Sequence, residues 1–215
     1  MTASLIRPTL DHVRRALALQ MFDAARAWAR MAPRPRTLRR PQNWEGTARM
    51  AAVLLLLYPC DGDLCFVLTR RTETLNHHSG QISLPGGALD PDDADTGQAA
   101  LRELCEELQV CRDGVLLLGP LTPIYVIVSD FEIHPHVGYI EQHPQFVPNP
   151  AEVAEVIEMP LTALLDDSIK QEEHWIIHGF ELEVPFYRFG EHIIWGATAI
   201  MLSEFEQRLK AVLAG

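Results

Sequence analysis

The sequence predicts an α/β layered domain, and three observations carry that reading. An unbroken apolar run, Met50–Tyr58, suits a buried strand. Short strand-like segments recur after it, divided by Gly, Pro and Asp. A few amphipathic helical stretches are interleaved with them, which gives a layered arrangement of α/β or α+β order.

The elements are expected in the following order. Residues 9–31 read as a helix, with Val13, Leu17, Met21, Ala24 and Trp28 spaced three to four apart. An Arg- and Pro-rich connector, Pro33–Pro41, follows. Met50–Tyr58 and Leu64–Thr69 form a hairpin about a turn marked by Pro59, Asp61 and Gly62. A short strand at Gln81–Leu84 leads into a loop through Pro85–Thr96, then a helix over Gly97–Gln109. Strands are expected near Val115–Leu118, Tyr125–Val128, Ile133–Ile140 and Val153–Glu158. Pro160 starts a short helix, Leu161–Asp166; strands Glu173–His178 and Glu181–Phe186 and a helix over Ile194–Ala211 end the chain. This divides the protein into a helix and arm (1–45) and a main domain (46–215).

Charge is unevenly distributed. Residues 1–49 hold ten Arg against Asp11, Asp23 and Glu45, a net of +7, so the remainder carries −18 of the total −11. An acidic body excludes a general nucleic-acid binder and suits a protein that recruits divalent cations. The basic start has the composition of an organelle transit segment. Asp11 and Asp23 interrupt it and three prolines follow, so a solvated helix and arm is expected. There is no run long enough for a membrane span and no secretory signal pattern, so a cytoplasmic protein is expected. Cys60, Cys65, Cys105 and Cys111 form no C-x-x-C pair and read as a reduced set.

The chemistry concentrates in Leu84-Pro85-Gly86-Gly87, an Asp-rich spacer, and Arg102-Glu103-Leu104-Cys105-Glu106-Glu107. On a helix, Ala100, Leu101, Leu104, Cys105 and Leu108 share one face, the buried one. Glu103, Glu106 and Glu107 share the other, where each like-charge i,i+4 pair costs about 0.2–0.5 kcal/mol. A solvated acidic face and a metal site are the two readings of such a helix. A hard divalent cation would offset the repulsion. Gly86-Gly87 permits a tight turn with close backbone approach, and a backbone carbonyl there could complete a metal shell.

These residues resemble the box of the Nudix family, G-x5-E-x7-R-E-U-x-E-E-x-G-U, where U is aliphatic. The spacing from Gly87 to Arg102 is one residue longer than the general pattern, Asp90, Asp92, Asp93 and Asp95 occupy the region of the isolated Glu, and Gln109 stands for the second Gly. The longer spacing is similar to the coenzyme A pyrophosphatase branch, whose upstream motif reads L-L-T-x-R-S-x3-R-x3-G-x3-F-P-G-G. Here the same spacing gives Val67-Leu68-Thr69-Arg70-Arg71-Thr72, Asn76, Gly80 and Leu84-Pro85-Gly86-Gly87. Asn76 stands where the motif has its second arginine. Pro150–Val156 and Ile194–Ala199 also resemble that branch.

The resemblance implies an α/β/α sandwich around a mixed sheet, here with an N-terminal helical extension. It implies hydrolysis of a nucleoside diphosphate linked to another group, with Mg2+ or Mn2+ held by Glu103, Glu106, Glu107 and Gly87. One of the glutamates, or Glu152 on a later loop, would act as base; Glu152 reads equally as a surface charge. Arg102 would orient the carboxylates. Arg70, Arg71, Asn76 and Gly86 would contact substrate, with Arg71 favoured by the motif. His77-His78 and His134-Pro135-His136 are expected in hydrogen-bonding roles rather than as metal ligands. Tyr125 and Phe131 are placed either to stack on a base or to pack in the core. The implied substrate is coenzyme A or its thioesters; ADP-ribose, NADH or a dinucleoside polyphosphate is the alternative, and a non-catalytic nucleotide sensor a third. The expected partner is a small nucleotide, with no nucleic acid and no membrane, and a homodimer is left open.

Overall fold

The computed structural model describes residues 7–35, 48–72, 80–111, 113–177 and 179–215. Strand β1 (Arg49–Cys60) is the centre of the molecule. It pairs antiparallel with β2 (Asp63–Arg71) and β4 (Gly86–Ala88), and parallel with β7 (Phe131–Tyr139). Beyond β2 lie β3 (Ile82–Ser83) and β8 (Val153–Pro160); beyond β7 lie β5 (Leu116–Pro120) and β6 (Ile124–Val126). This makes one mixed sheet. A second, antiparallel sheet has the order β11 (His192–Trp195), β10 (Phe180–Phe189), β9 (Lys170–Ile177).

Successive strand residues face opposite sides of a sheet, and β1 shows why its whole run is apolar. Val53, Leu55 and Leu57 enter one core with α5 (Gly196–Leu213), α4 (Leu161–Leu165) and α1 (Leu10–Leu17). Ala52, Leu54, Leu56 and Tyr58 enter the other with α3 (Thr96–Leu108). The result is helix on both faces of a mixed sheet, as expected. Leu104 and Leu108 of α3 are fully buried, each contributing about 1.5–3 kcal/mol by apolar burial.

Several expectations need correction. Residues 9–31 are two helices, α1 and α2 (Ala24–Trp28), because Asp23 caps a new N-terminus by accepting from the Arg26 N–H at 3.0 Å. Met21, expected on the apolar stripe, is fully exposed. The new direction lays α2 on α5, where Trp28 donates to Glu204 (2.9 Å) and Ser203 donates to the Ala27 carbonyl (2.7 Å). The hairpin turn is only Asp61-Gly62, both at positive φ (43° and 77°), so β1 runs on through Pro59 and Cys60. The supposed loop after Pro85 begins with β4. Strand β11 was missed because four residues before a helix carry little periodic signal.

The reduced-cysteine expectation is also overturned. Cys60 is paired with Cys65 across the β1–β2 hairpin, and Cys105 with Cys111 around the end of α3. The second pairing explains why Cys105, expected on the buried face of α3, is only half-buried. Among the described residues no helix is long and apolar enough to cross a membrane.

Candidate active site

Gly86 and Gly87 are placed by β4, which pairs with β1 through Gly86–Val53 and Gly87–Ala52. At Gly86 (φ 156°) an added Cβ would stand 2.3 Å from the Ala52 carbonyl oxygen, so the strand tolerates only glycine. At Gly87 the space for a Cβ is taken by Glu103, whose carboxylate atoms would lie 2.5 Å away. The glycine pair therefore forms a seat for the α3 carboxylates.

Helix α3 is started by Asp95, which accepts from the Gln98 N–H at 2.9 Å, and ended by Gln109 in the left-handed region (φ 56°). Thr96, at its first turn, meets His136 at 2.9 Å, and His134 meets Glu132 at 3.0 Å, so both histidines have the hydrogen-bonding roles expected. Burial, with His134 as the lesser cause, lowers the His136 pKa.

The three glutamates do not share one solvated face. Glu106 is 53% exposed and Glu103 is 13% exposed. Glu107 is 2% exposed, turned inward beneath β4 and β2. Burial pushes its pKa up to about 8, with Glu103 and Glu152 adding to the rise and Arg71 and the Gly86 N–H opposing it. Burial likewise raises Glu103, against the pull of Arg102. The side-chain partners of Glu107 are distant: the Thr69 hydroxyl at 3.5 Å and Arg71 Nη1 at 3.9 Å. Thr69 is equally far from the Ser83 carbonyl, and its one proton serves only one of them.

Arg102 is the hub of the outer side. It donates to both oxygens of Asp93 (3.1 and 2.9 Å), to Glu103 (2.8 Å), to Glu106 (3.2 Å) and to the Ala88 carbonyl (3.0 Å). Its fork thus ties the spacer, β4 and two carboxylates together. Asp93 was one of four aspartates that the sequence left undistinguished; it alone is paired to Arg102, which holds its pKa below the usual range.

Arg70 and Arg71 part company. Arg70 pairs with Glu155 at 2.9 Å, which His192 also approaches at 3.4 Å. Arg71 turns to Glu107, and its Nε is buried without a hydrogen-bond partner among the described residues. Glu152, at the end of the loop between β7 and β8, stands where its charge raises both Glu103 and Glu107. Asn76, His77 and His78 lie outside the described residues. Tyr125 is half-buried and donates to Asp130 (2.7 Å), while Arg49 covers Phe131 at 4.1 Å, so neither ring is a core residue.

Among the described residues no three His, Cys, Asp or Glu side chains converge as a formed metal cluster, and Arg102 engages Glu103 and Glu106. The donors nevertheless fit a hard divalent cation. Glu107 is a desolvated carboxylate short of positive charge, Glu103 lies beside it against Gly87, and all the donors are oxygen.

The site is thus a glycine-walled, all-oxygen seat under the acidic helix α3, on an α/β/α sandwich. The NUDIX domain model matches residues 48–183, and the chain belongs to the Nudix hydrolase family. Among curated relatives, the Nudix hydrolase NudL of Photorhabdus laumondii is 35% identical over 170 residues, covering 79% of this chain and 90% of its own. Nudix hydrolase 15, mitochondrial, of Arabidopsis thaliana is 35% identical over 161 residues, covering 72% of this chain and 56% of its own. The fold is shared with the Nudix hydrolase RenU of M. smegmatis (TM-score 0.52, 20% identity, 78% of this chain and 86% of that one). It is also shared with a MutT/nudix protein of Enterococcus faecalis (TM-score 0.54, 15% identity, 95% and 75%). As a Nudix hydrolase, the protein acts on small nucleoside diphosphate-linked compounds, and the family generally uses divalent cations.

Proposed function

We propose that the protein cleaves the pyrophosphate of coenzyme A or its thioesters, releasing 4′-phosphopantetheine and adenosine 3′,5′-bisphosphate. Glu107 carries the chemical part of this reading: a buried carboxylate seated by Gly86 and Gly87 and beside Glu103, with no close counter-ion. Glu103, Glu106, Glu107 and the Gly87 carbonyl would hold Mg2+ or Mn2+. The ion, when bound, neutralises phosphate oxygens and acidifies water. Arg71, partly exposed and only loosely paired with Glu107 through Nη1, forks onto a substrate phosphate. Glu152, near Glu103 and Glu107 yet outside the Arg102 network, accepts the proton of the attacking water. Arg102 keeps Glu103 and Glu106 in place. Arg70, already paired with Glu155, contributes to the shape of the strand end rather than to phosphate binding.

The coenzyme A part rests on the motif from Val67 to Gly87, with Arg71 in its motif place beside Glu107. One feature favours another nucleotide: Asn76 stands where the motif arginine would meet an additional phosphate. The test is a magnesium-dependent hydrolysis screen over coenzyme A, dephospho-coenzyme A, ADP-ribose, NADH and diadenosine polyphosphates. Coenzyme A is expected to be cleaved with weak preference over its dephospho form. Asn76→Arg is expected to raise that preference about ten- to a hundredfold, the worth of a hydrogen bond to a charged group. Failure to cleave either compound, with turnover of another, moves the assignment to that nucleotide.

A further inference from the structure

An α-helix leaves its last carbonyls without intrahelical partners. At the end of α3 the loop between β7 and β8 supplies them: the Val147 N–H donates to Leu108 (3.0 Å) and the Asn149 N–H to Glu107 (2.8 Å). The helix turn that carries Glu107 is therefore held by Asn149 through backbone alone.

The rest of Asn149 is spent on Glu152. Its side-chain oxygen accepts from the Ala151 N–H (3.1 Å), closing a tight turn. Its side-chain amide donates to Glu152 Oε1 (3.3 Å). Its carbonyl accepts from the N–H groups of Glu152 (3.0 Å) and Val153 (2.8 Å). Pro150 follows it and biases Asn149 towards extended backbone. From the other side Thr72 grips the same turn, its N–H donating to the Glu152 carbonyl (2.9 Å) and its hydroxyl to Ala151 (3.1 Å).

We infer that Asn149 is a positioning residue for the hydrolysis, joining the Glu107 turn of α3 to Glu152 and aiming the Glu152 carboxylate at the reacting centre. This rests on the proposed role of Glu152. No other described side chain donates to that carboxylate, and an acid at a loop end without such a hold samples several rotamers. The asparagine is suited to the task because one side chain supplies both the acceptor that closes the turn and the donor that holds the acid.

Four variants separate turn formation from aiming, with the best substrate of the screen and thermal unfolding as the fold control. Asn149→Ala is expected to lower kcat about tenfold with KM within twofold of the parent. Asn149→Asp keeps the acceptor for Ala151 and loses the donor, so it is expected to be as impaired as Asn149→Ala. In a Glu152→Ala background, Asn149→Ala is expected to have no further effect. Recovery of kcat by Asn149→Asp, or an Asn149→Ala loss that multiplies with that of Glu152→Ala, would overturn the inference and leave Glu152 standing. A Glu152→Ala enzyme with normal kcat would remove the role of Glu152, and the inference with it. A parent inactive on every compound would sink the hydrolase reading itself.

Discussion

Two buried glutamates, Glu107 on α3 and Glu206 on α5, face opposite fates in this molecule. Glu206 is fully buried and saturated: Lys170 and Lys210 both pair with it, the latter at 2.7 Å, and the Tyr187 hydroxyl donates to it at 2.8 Å. Asp167 joins the same two lysines, which pull its pKa down to about 2. The chain has only two lysines, and both are committed there. Glu107 is just as buried, yet apart from the Gly86 N–H it receives only one distant hydroxyl and one distant arginine. Burial costs a charged group several kcal/mol unless partners replace water. At Glu206 the protein replaces the water; at Glu107 it leaves the deficit, which is the state a cation site needs.

The sharpest way to break this comparison is to remove each charge in turn. Glu107→Gln or Glu106→Gln should leave the fold intact and lower turnover about 10²–10⁴-fold or more, whether the loss is of a base or of a ligand. Turnover at saturating magnesium, with circular dichroism as control, decides it. Near-normal rates in both variants would remove these residues from the site.

Glu206→Gln should do the reverse. It leaves two lysines and a buried tyrosine around a neutral amide, and breaking a buried pair costs about 3–5 kcal/mol. The midpoint of urea unfolding should fall strongly, while kcat of the folded fraction stays near normal. A stability change within about 0.5 kcal/mol would mean that the cluster is not structural.

pH sharpens the contrast further in metal-free protein. The folded pKa of Glu107, about 8, lies above the ordinary carboxylate value, so the folded state binds the extra proton. The stability this brings is fully present below the unfolded pKa and is lost as pH rises through about 8. Between pH 5 and pH 9 in chelator, the Tm of the parent should fall more steeply than that of Glu107→Gln, by an amount worth a few kcal/mol. Parallel Tm curves would show that Glu107 is not the desolvated group.

How much of this was legible beforehand follows from the same physics. The sandwich could be read because β1 is apolar on both faces, and the α3 helix because its apolar residues keep a period near 3.6. Glu103, Glu106 and Glu107 could be named from motif and spacing. Their unequal burial could not, since it depends on β4 and β2 closing over Glu107, a contact distant in sequence. For the same reason the selection of Asp93 among four aspartates needed the reach of Arg102, and Asn149 was invisible because its work is done through local turn bonds rather than a residue pattern. Asp23 did carry a signal for the break between α1 and α2, as a capping residue ahead of Ala24, but the apolar spacing across it outweighed that signal.

The smallest effect concerns the end of α3, where Gln109 replaces the glycine of the Nudix box. Gln109 has φ 56° and donates its N–H to the Cys105 carbonyl, a helix terminus that glycine adopts freely. A residue with a Cβ is disfavoured there by about 1–2 kcal/mol. Its side chain is exposed, so replacing it sacrifices no packing. Glycine would gain freedom in the unfolded chain, returning up to about 1 kcal/mol of that benefit. Gln109→Gly should therefore stabilise the protein by up to about 1 kcal/mol, a rise of about 2–4 °C in Tm for a chain of this size. Gln109→Ala retains the Cβ and should give no such gain. Equal Tm shifts in the two variants would show that side-chain removal, rather than relief of the left-handed backbone, is responsible.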